Sequence, residues 1–132
     1  MMAFGFFVQG KDGTAQSIPF AFELEDAILI LKGICGKDYI PRILPEVKMV
    51  ESGEFSSVSI QFDREKLLAA AISRATESIN QFYITPLRKQ RTRTPPAFRN
   101  SYQLNAVERA IHLARNAASV RLEVTSMTHD QP

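Results

Sequence analysis

Residues 4–24 read FGFFVQGKDGTAQSIPFAFEL, and the way this stretch divides decides the fold. Phe4 to Gln9 is aromatic and β-branched, then stops at the turn cluster Gly10-Lys11-Asp12-Gly13, whose glycines take positive φ without a steric penalty. Residues 16–24 alternate, with Ile18, Phe20, Phe22 and Leu24 on one side and Ser17, Pro19, Ala21 and Glu23 on the other. Two such runs about a turn predict a β-hairpin. Pro19 has no N–H for a ladder, so its strand belongs at a sheet edge or a bulge.

The chain beyond the hairpin changes period. Over residues 25–35 (EDAILILKGIC), Glu25 and Asp26 suit the positive end of a helix, and Leu24, Ala27, Ile28, Leu31 and Ile34 follow helical spacing up to Gly36. The continuous run Ile28 to Leu31 would also suit a buried strand; the spacing favours a helix. Pro41 and Pro45 predict that residues 37–53 are mostly irregular. FSSVSIQF at 55–62 alternates as a third strand, Asp63 is placed as an N-cap, and residues 64–82 carry one apolar stripe from Leu67 to Phe82.

Periodicity then fails over residues 83–100, where Pro86, Pro95 and Pro96 forbid a continuous helix. Ser101 is placed as the cap of a helix over 102–118, with Ala118 turned inward, and Val120, Leu122 and Val124 alternate as a closing strand. The expected architecture is α+β: a single domain over 1–125 and a polar, frayed tail at 126–132. Its order is β-β-α-β-α-α-β. About four strands form a mixed or antiparallel sheet, with two or three helices packed on one face. At 132 residues the chain buries a core without a metal or disulfide.

Few chemistries find their residues here. Cys35 is the only cysteine, so no internal disulfide forms and no paired-cysteine zinc motif exists, which fits a reducing, cytoplasmic setting. The N-terminus lacks a basic leader region, and the dense apolar run 27–31 is far below the ~20 residues that span a bilayer. Glu23, Glu25 and Asp26 cluster, and His112 stands one helical turn after Glu108, but these patterns are ordinary at helix starts and faces. Cys35 near a helix C-terminus reads as a packed thiol rather than a nucleophile. No catalytic residue, cofactor, metal or small-molecule substrate is expected from these residues, and no motif points to a known family.

One segment stands apart in charge. From Phe82 to Val107 there are five basic residues (Arg88, Lys89, Arg91, Arg93 and Arg99) and no acidic one, against a net charge of +2 for the whole chain. Phe98 and Tyr102 lie within the same stretch. Guanidinium forks suit carboxylates and phosphates, and exposed aromatics add contact area. Arg88, Lys89, Arg91, Arg93, Phe98, Arg99 and Tyr102 are therefore the candidate partner-binding residues of loop 88–99 and its flank. An acidic protein surface or a second copy of the chain is the expected partner. Nucleic acid is the alternative, and an enzyme built on the carboxylates or His112 ranks lower.

Overall fold

The computed structural model describes residues 1–70 and 96–127. Strands β1 (Met2–Gly10), β2 (Ala15–Ala21), β3 (Ser57–Gln61) and β4 (Ala117–Ser126) form one antiparallel sheet in the order β2-β1-β4-β3. The described helices are α1 (Leu24–Cys35), α2 (Ile40–Glu51), α3 (Arg64–Leu68) and α4 (Ser101–Ala114), and a 3-10 turn at Lys37–Tyr39 leads into α2. The α+β expectation holds. None of these helices is long and apolar enough to cross a membrane.

The hairpin forms where the alternation places it, with Phe6 opposite Ile18 and Val8 opposite Gln16. Gly13 takes φ 92°, and the Asp12 carboxylate accepts from the Thr14 amide and hydroxyl at 3.0 and 2.7 Å. Those two bonds, the hydroxyl's first, hold the Asp12 pKa below its ordinary value. β4 runs beside β1, so Phe4, Phe6 and Val8 face Val124, Leu122 and Val120 across the middle of the sheet. These side chains share one face with Ile18 and Phe20 and are buried. Ala27, Ile30, Leu31 and Ile34 of α1, Ile43, Val47 and Val50 of α2, and Val107, Ala110 and Ala114 of α4 close the core over them. An aromatic row runs through it: Phe20 stacks on Phe6 at 4.8 Å, Phe6 meets Phe62 edge-on at 5.0 Å, and Phe62 meets Tyr39 at 5.6 Å.

Among the described residues, the opposite sheet face carries Ser17, Ser59, Arg121 and Glu123 around a half-buried Phe7. Ser17 of β2 donates to Glu123 of β4 at 2.8 Å, crossing β1 beside Gly5. The register of β1 against β2 shifts at this glycine, which fits the bulge expected from Pro19. Both sheet edges are capped by side chains. On β2 the Tyr102 hydroxyl donates to the Pro19 carbonyl at 3.1 Å. On β3 the Tyr39 hydroxyl donates to the Gln61 carbonyl at 2.9 Å, and Arg121 donates to the Ser59 carbonyl at 3.0 Å and to its hydroxyl. The Ser56 carbonyl accepts from the Ser126 amide, so by alternation the odd-numbered groups of β3 face outward.

Several boundaries differ from the sequence expectation. Residues 37–53 are not mostly irregular: α2 occupies 40–51. Pro41 stands in its first turn, where the missing N–H has no intrahelical partner to lose. Pro45 is inside the helix, but it and Pro41 are both exposed, so the unpaired Pro41 carbonyl is left on the solvent side. Burial of Ile43, Val47 and Val50 at helical spacing outweighs the proline penalty. The second strand ends at Ala21, and Phe22 turns outward rather than continuing the inward row. Ala118 belongs to β4 and is exposed, and the N-cap of α4 is Asn100 rather than Ser101. Asp63 caps α3 as expected, accepting from the Glu65 amide at 2.9 Å. The helix expected over 64–82 instead ends at Leu68, with Ala69 as its C-cap and Ala70 outside it. Its expected stretch from 71 to 82, the loop from 83 to 95 and the last five residues of the tail lie outside the described residues.

Candidate functional site

The described end of the basic segment is built into the body of the protein. Pro96 is buried and Phe98 packs half-buried against the core. Asn100 then starts α4, accepting from the Gln103 amide at 2.9 Å, and the Gln103 side chain accepts from the Arg99 amide at 2.8 Å. The arrangement is a variant of the capping box, in which the glutamine accepts from the amide one residue before the N-cap rather than from the N-cap itself. It fixes the backbone of residues 99–103.

Arg99 itself reaches α1. Its Nε and Nη2 donate to a single Asp26 oxygen at 2.9 and 2.7 Å, and the Gln103 amide donates to the same oxygen at 3.0 Å. Asp26 lies in the first turn of α1, where the helix dipole favours a carboxylate. It is buried, whereas the Arg99 side chain remains 60% exposed. Glu23 stands 3.9 Å from the same guanidinium. The hydrogen bonds to Asp26, then its charge, then Glu23 and Glu25, raise the Arg99 pKa above its ordinary value and keep it a cation.

Beside this ion pair lies an exposed aromatic pair. Tyr102, in the first turn of α4, stacks on Phe22 with ring centroids 6.0 Å apart and planes at 26°. Both rings are more than a third exposed. A groove of about 280 Å3 continues from Tyr102 between the outer edge of β2 and α4, toward Ile18 and Arg109. The surface therefore joins one partly satisfied guanidinium, two aromatic faces and a shallow groove.

Of the predicted set, the structure places Arg99 and Tyr102 on this surface and packs Phe98 half-buried against the core. Arg88, Lys89, Arg91 and Arg93 lie outside the described residues. Phe22 reads in sequence as part of the inward row of the second strand rather than as a surface contact. Its signal was present: an aromatic directly before the Glu23-Leu24-Glu25-Asp26 helix start is placed where a strand has to end. Asp26 reads in sequence as one of three clustered carboxylates, and its partner 73 positions away carries no local pattern.

The other candidate groups are spread through the fold. Glu25 is exposed on α1, and His112 is exposed in the last turn of α4, three turns from Arg99 and Asp26. Cys35 closes α1 at its C-terminal end. No group of three or more His, Cys, Asp and Glu side chains among the described residues is placed to hold a metal ion. No protein-family model, curated protein or solved structure matches the chain.

Proposed function

We propose that the protein is a small non-enzymatic binding protein that engages an acidic protein surface through its basic segment, residues 88–99. The observation that carries the reading is the charge of that segment, five cations and no anion from Phe82 to Val107. Its support is the anchoring at its C-terminal end. Residues 96–103 are held by the burial of Pro96, the Asn100–Gln103 and Arg99–Gln103 bonds and the Arg99–Asp26 pair, which gives the segment a fixed end beside the proposed contact. Arg99 is already paired with Asp26, so the proposal assigns contact with a partner's carboxylates to Arg88, Lys89, Arg91 and Arg93. Phe22 and Tyr102 would supply apolar contact beside them. Set against those five cations, the rest of the chain is net negative, so a second copy also qualifies as the acidic surface.

The test is replacement of Arg88, Arg91 and Arg93 together by alanine. The expected outcome at low salt is a loss of about tenfold or more in recovery of an acidic partner, or in self-association by light scattering, with thermal unfolding unchanged. Unchanged association by a folded triple variant overturns the proposal. Binding of DNA or RNA fragments in a gel shift, weakening steeply with salt, would replace it with the nucleic-acid reading.

A further inference from the structure

A second site stands on the other end of the helical layer, away from the basic segment's anchor. A cavity of about 380 Å3 opens where α1 ends, the 3-10 turn begins α2, and β3 passes into α3. Arg42, Arg64 and Lys66 line it, with Asp63 as the only carboxylate among the described lining residues. The Asp63 side chain is occupied in capping α3. The lining is thus three cations against one carboxylate already spent on a backbone amide.

The three cations differ in role. Arg64 is held before any ligand arrives: its Nε donates to the Ala114 carbonyl at 2.7 Å, its Nη2 to the Arg115 carbonyl at 3.0 Å, and its Nη1 to Glu65 at 3.0 Å. These bonds tie α3 to the C-terminal end of α4, where a cation is favoured, and leave guanidinium donors over. Arg42 and Lys66 are exposed, and no side-chain hydrogen bond or ion pair joins either to another described residue. They supply a planar fork and a point charge that are not committed within the described body. The floor is closed by Phe62 and Tyr39, and the Tyr39 hydroxyl is turned to the Gln61 carbonyl and so does not compete for a ligand.

We propose that this cavity binds a small phosphate-bearing molecule, with Arg42 and Lys66 as the donors that contact the phosphate and Arg64 as the fixed cation behind them. Arg42 and Lys66 offer two cations to a phosphate dianion, and a forked guanidinium matches its oxygens. The volume admits a phosphate and a small attached group rather than a polymer. None of the described lining residues belongs to the basic segment, and the proposal does not depend on that segment binding a protein.

Cys35 gives the experiment its reporter, because it is the only cysteine and lines the same cavity. Alkylation by iodoacetamide, a neutral reagent, is followed with increasing inorganic phosphate at constant ionic strength. The expected result is saturable protection, reaching about tenfold slowing when phosphate is about ten times its Kd by simple mass action. Amide chemical shifts near Tyr39, Gln61 and residues 63–66 are expected to move with the same Kd. The Arg42→Ala/Lys66→Ala variant, altered only at exposed positions, should lose both effects while its unfolding temperature is unchanged. Pyrophosphate and a simple phosphate monoester in parallel report whether an attached group adds affinity. Shifts without thiol protection would still support the site, with the phosphate seated away from Cys35. Absence of localised shifts at millimolar phosphate, or equal shifts in the double variant, overturns it.

Discussion

Asp26 and Arg99 lie 73 positions apart, and one oxygen of the aspartate accepts from both Nε and Nη2 of the arginine. The pair joins the first turn of α1 to the start of α4, and the Gln103 amide completes it. Asp26→Ala is expected to cost about 1–3 kcal/mol, because it strands the buried Gln103 amide without its acceptor. Arg99→Ala should also destabilise. In urea titrations of the two single variants and the double variant, the double should lose less than the sum of the singles. Strict additivity would show that the two side chains do not support each other.

Much of this fold was legible because burial on one side imposes a period. Ile18 and Phe20, Val58 and Ile60, and Val120, Leu122 and Val124 alternate in sequence, and each set faces the core. Helix α1 was legible from Ala27, Leu31 and Ile34 for the same reason. Helix α2 was hidden because two prolines outweighed a stripe of only three buried residues, Ile43, Val47 and Val50. The candidate sites were less legible. Arg99 reads in sequence as one more free cation, and only the fold places Asp26 beneath it. The cavity cations Arg42, Arg64 and Lys66 come from two helices flanking a strand and share no spacing.

Tyr39 makes stability depend on alkaline pH. Burial, with Cys35 adding and Arg42 and Arg121 opposing, pushes its hydroxyl well above the ordinary phenol value of about 10. The unfolded chain therefore loses this proton first. Above about pH 10 the folded state holds more protons than the unfolded one, so stability falls as pH rises; below that pH the contribution is full and constant. Urea midpoints measured from about pH 8 to about pH 12 should show this decline. Tyr39→Phe should flatten it, after a pH-independent loss of about 1 kcal/mol for the hydrogen bond to Gln61. An identical alkaline slope in Tyr39→Phe would assign the effect to other groups.

Gly5 is required by close approach rather than by its backbone angle. A Cβ there would fall 2.8 Å from the Ile18 carbonyl oxygen and 2.9 Å from the Pro19 Cα, both backbone atoms that no rotamer change can move. Gly5→Ala is expected to lose about 1–3 kcal/mol by forcing β1 and β2 apart. Gly13→Ala meets open space and suffers only from its positive φ, with a loss of about 1 kcal/mol. Thermal unfolding of the two variants should rank them in that order, and the reverse ranking would place the strain in the turn instead.

The capped edges bear on whether the sheet stays apart from other sheets. The sequence of β3, SVSIQ, has no charge and no proline, which are common devices for blocking an exposed edge. The blocking comes from elsewhere: Arg121 occupies the Ser59 carbonyl and Tyr39 the Gln61 carbonyl. An incoming strand would have to displace both to extend the ladder. The Tyr39→Phe/Arg121→Ala variant uncovers these two acceptors and leaves the core side chains in place. It is expected to self-associate at concentrations where the parent chain does not, with light-scattering mass rising toward twice the parent value or beyond. Arg88→Ala/Arg91→Ala/Arg93→Ala in the same background separates this route from one using the basic segment, since association through β3 does not need those arginines. A double variant with the same concentration-dependent mass as the parent would show that the two side chains do not guard the edge.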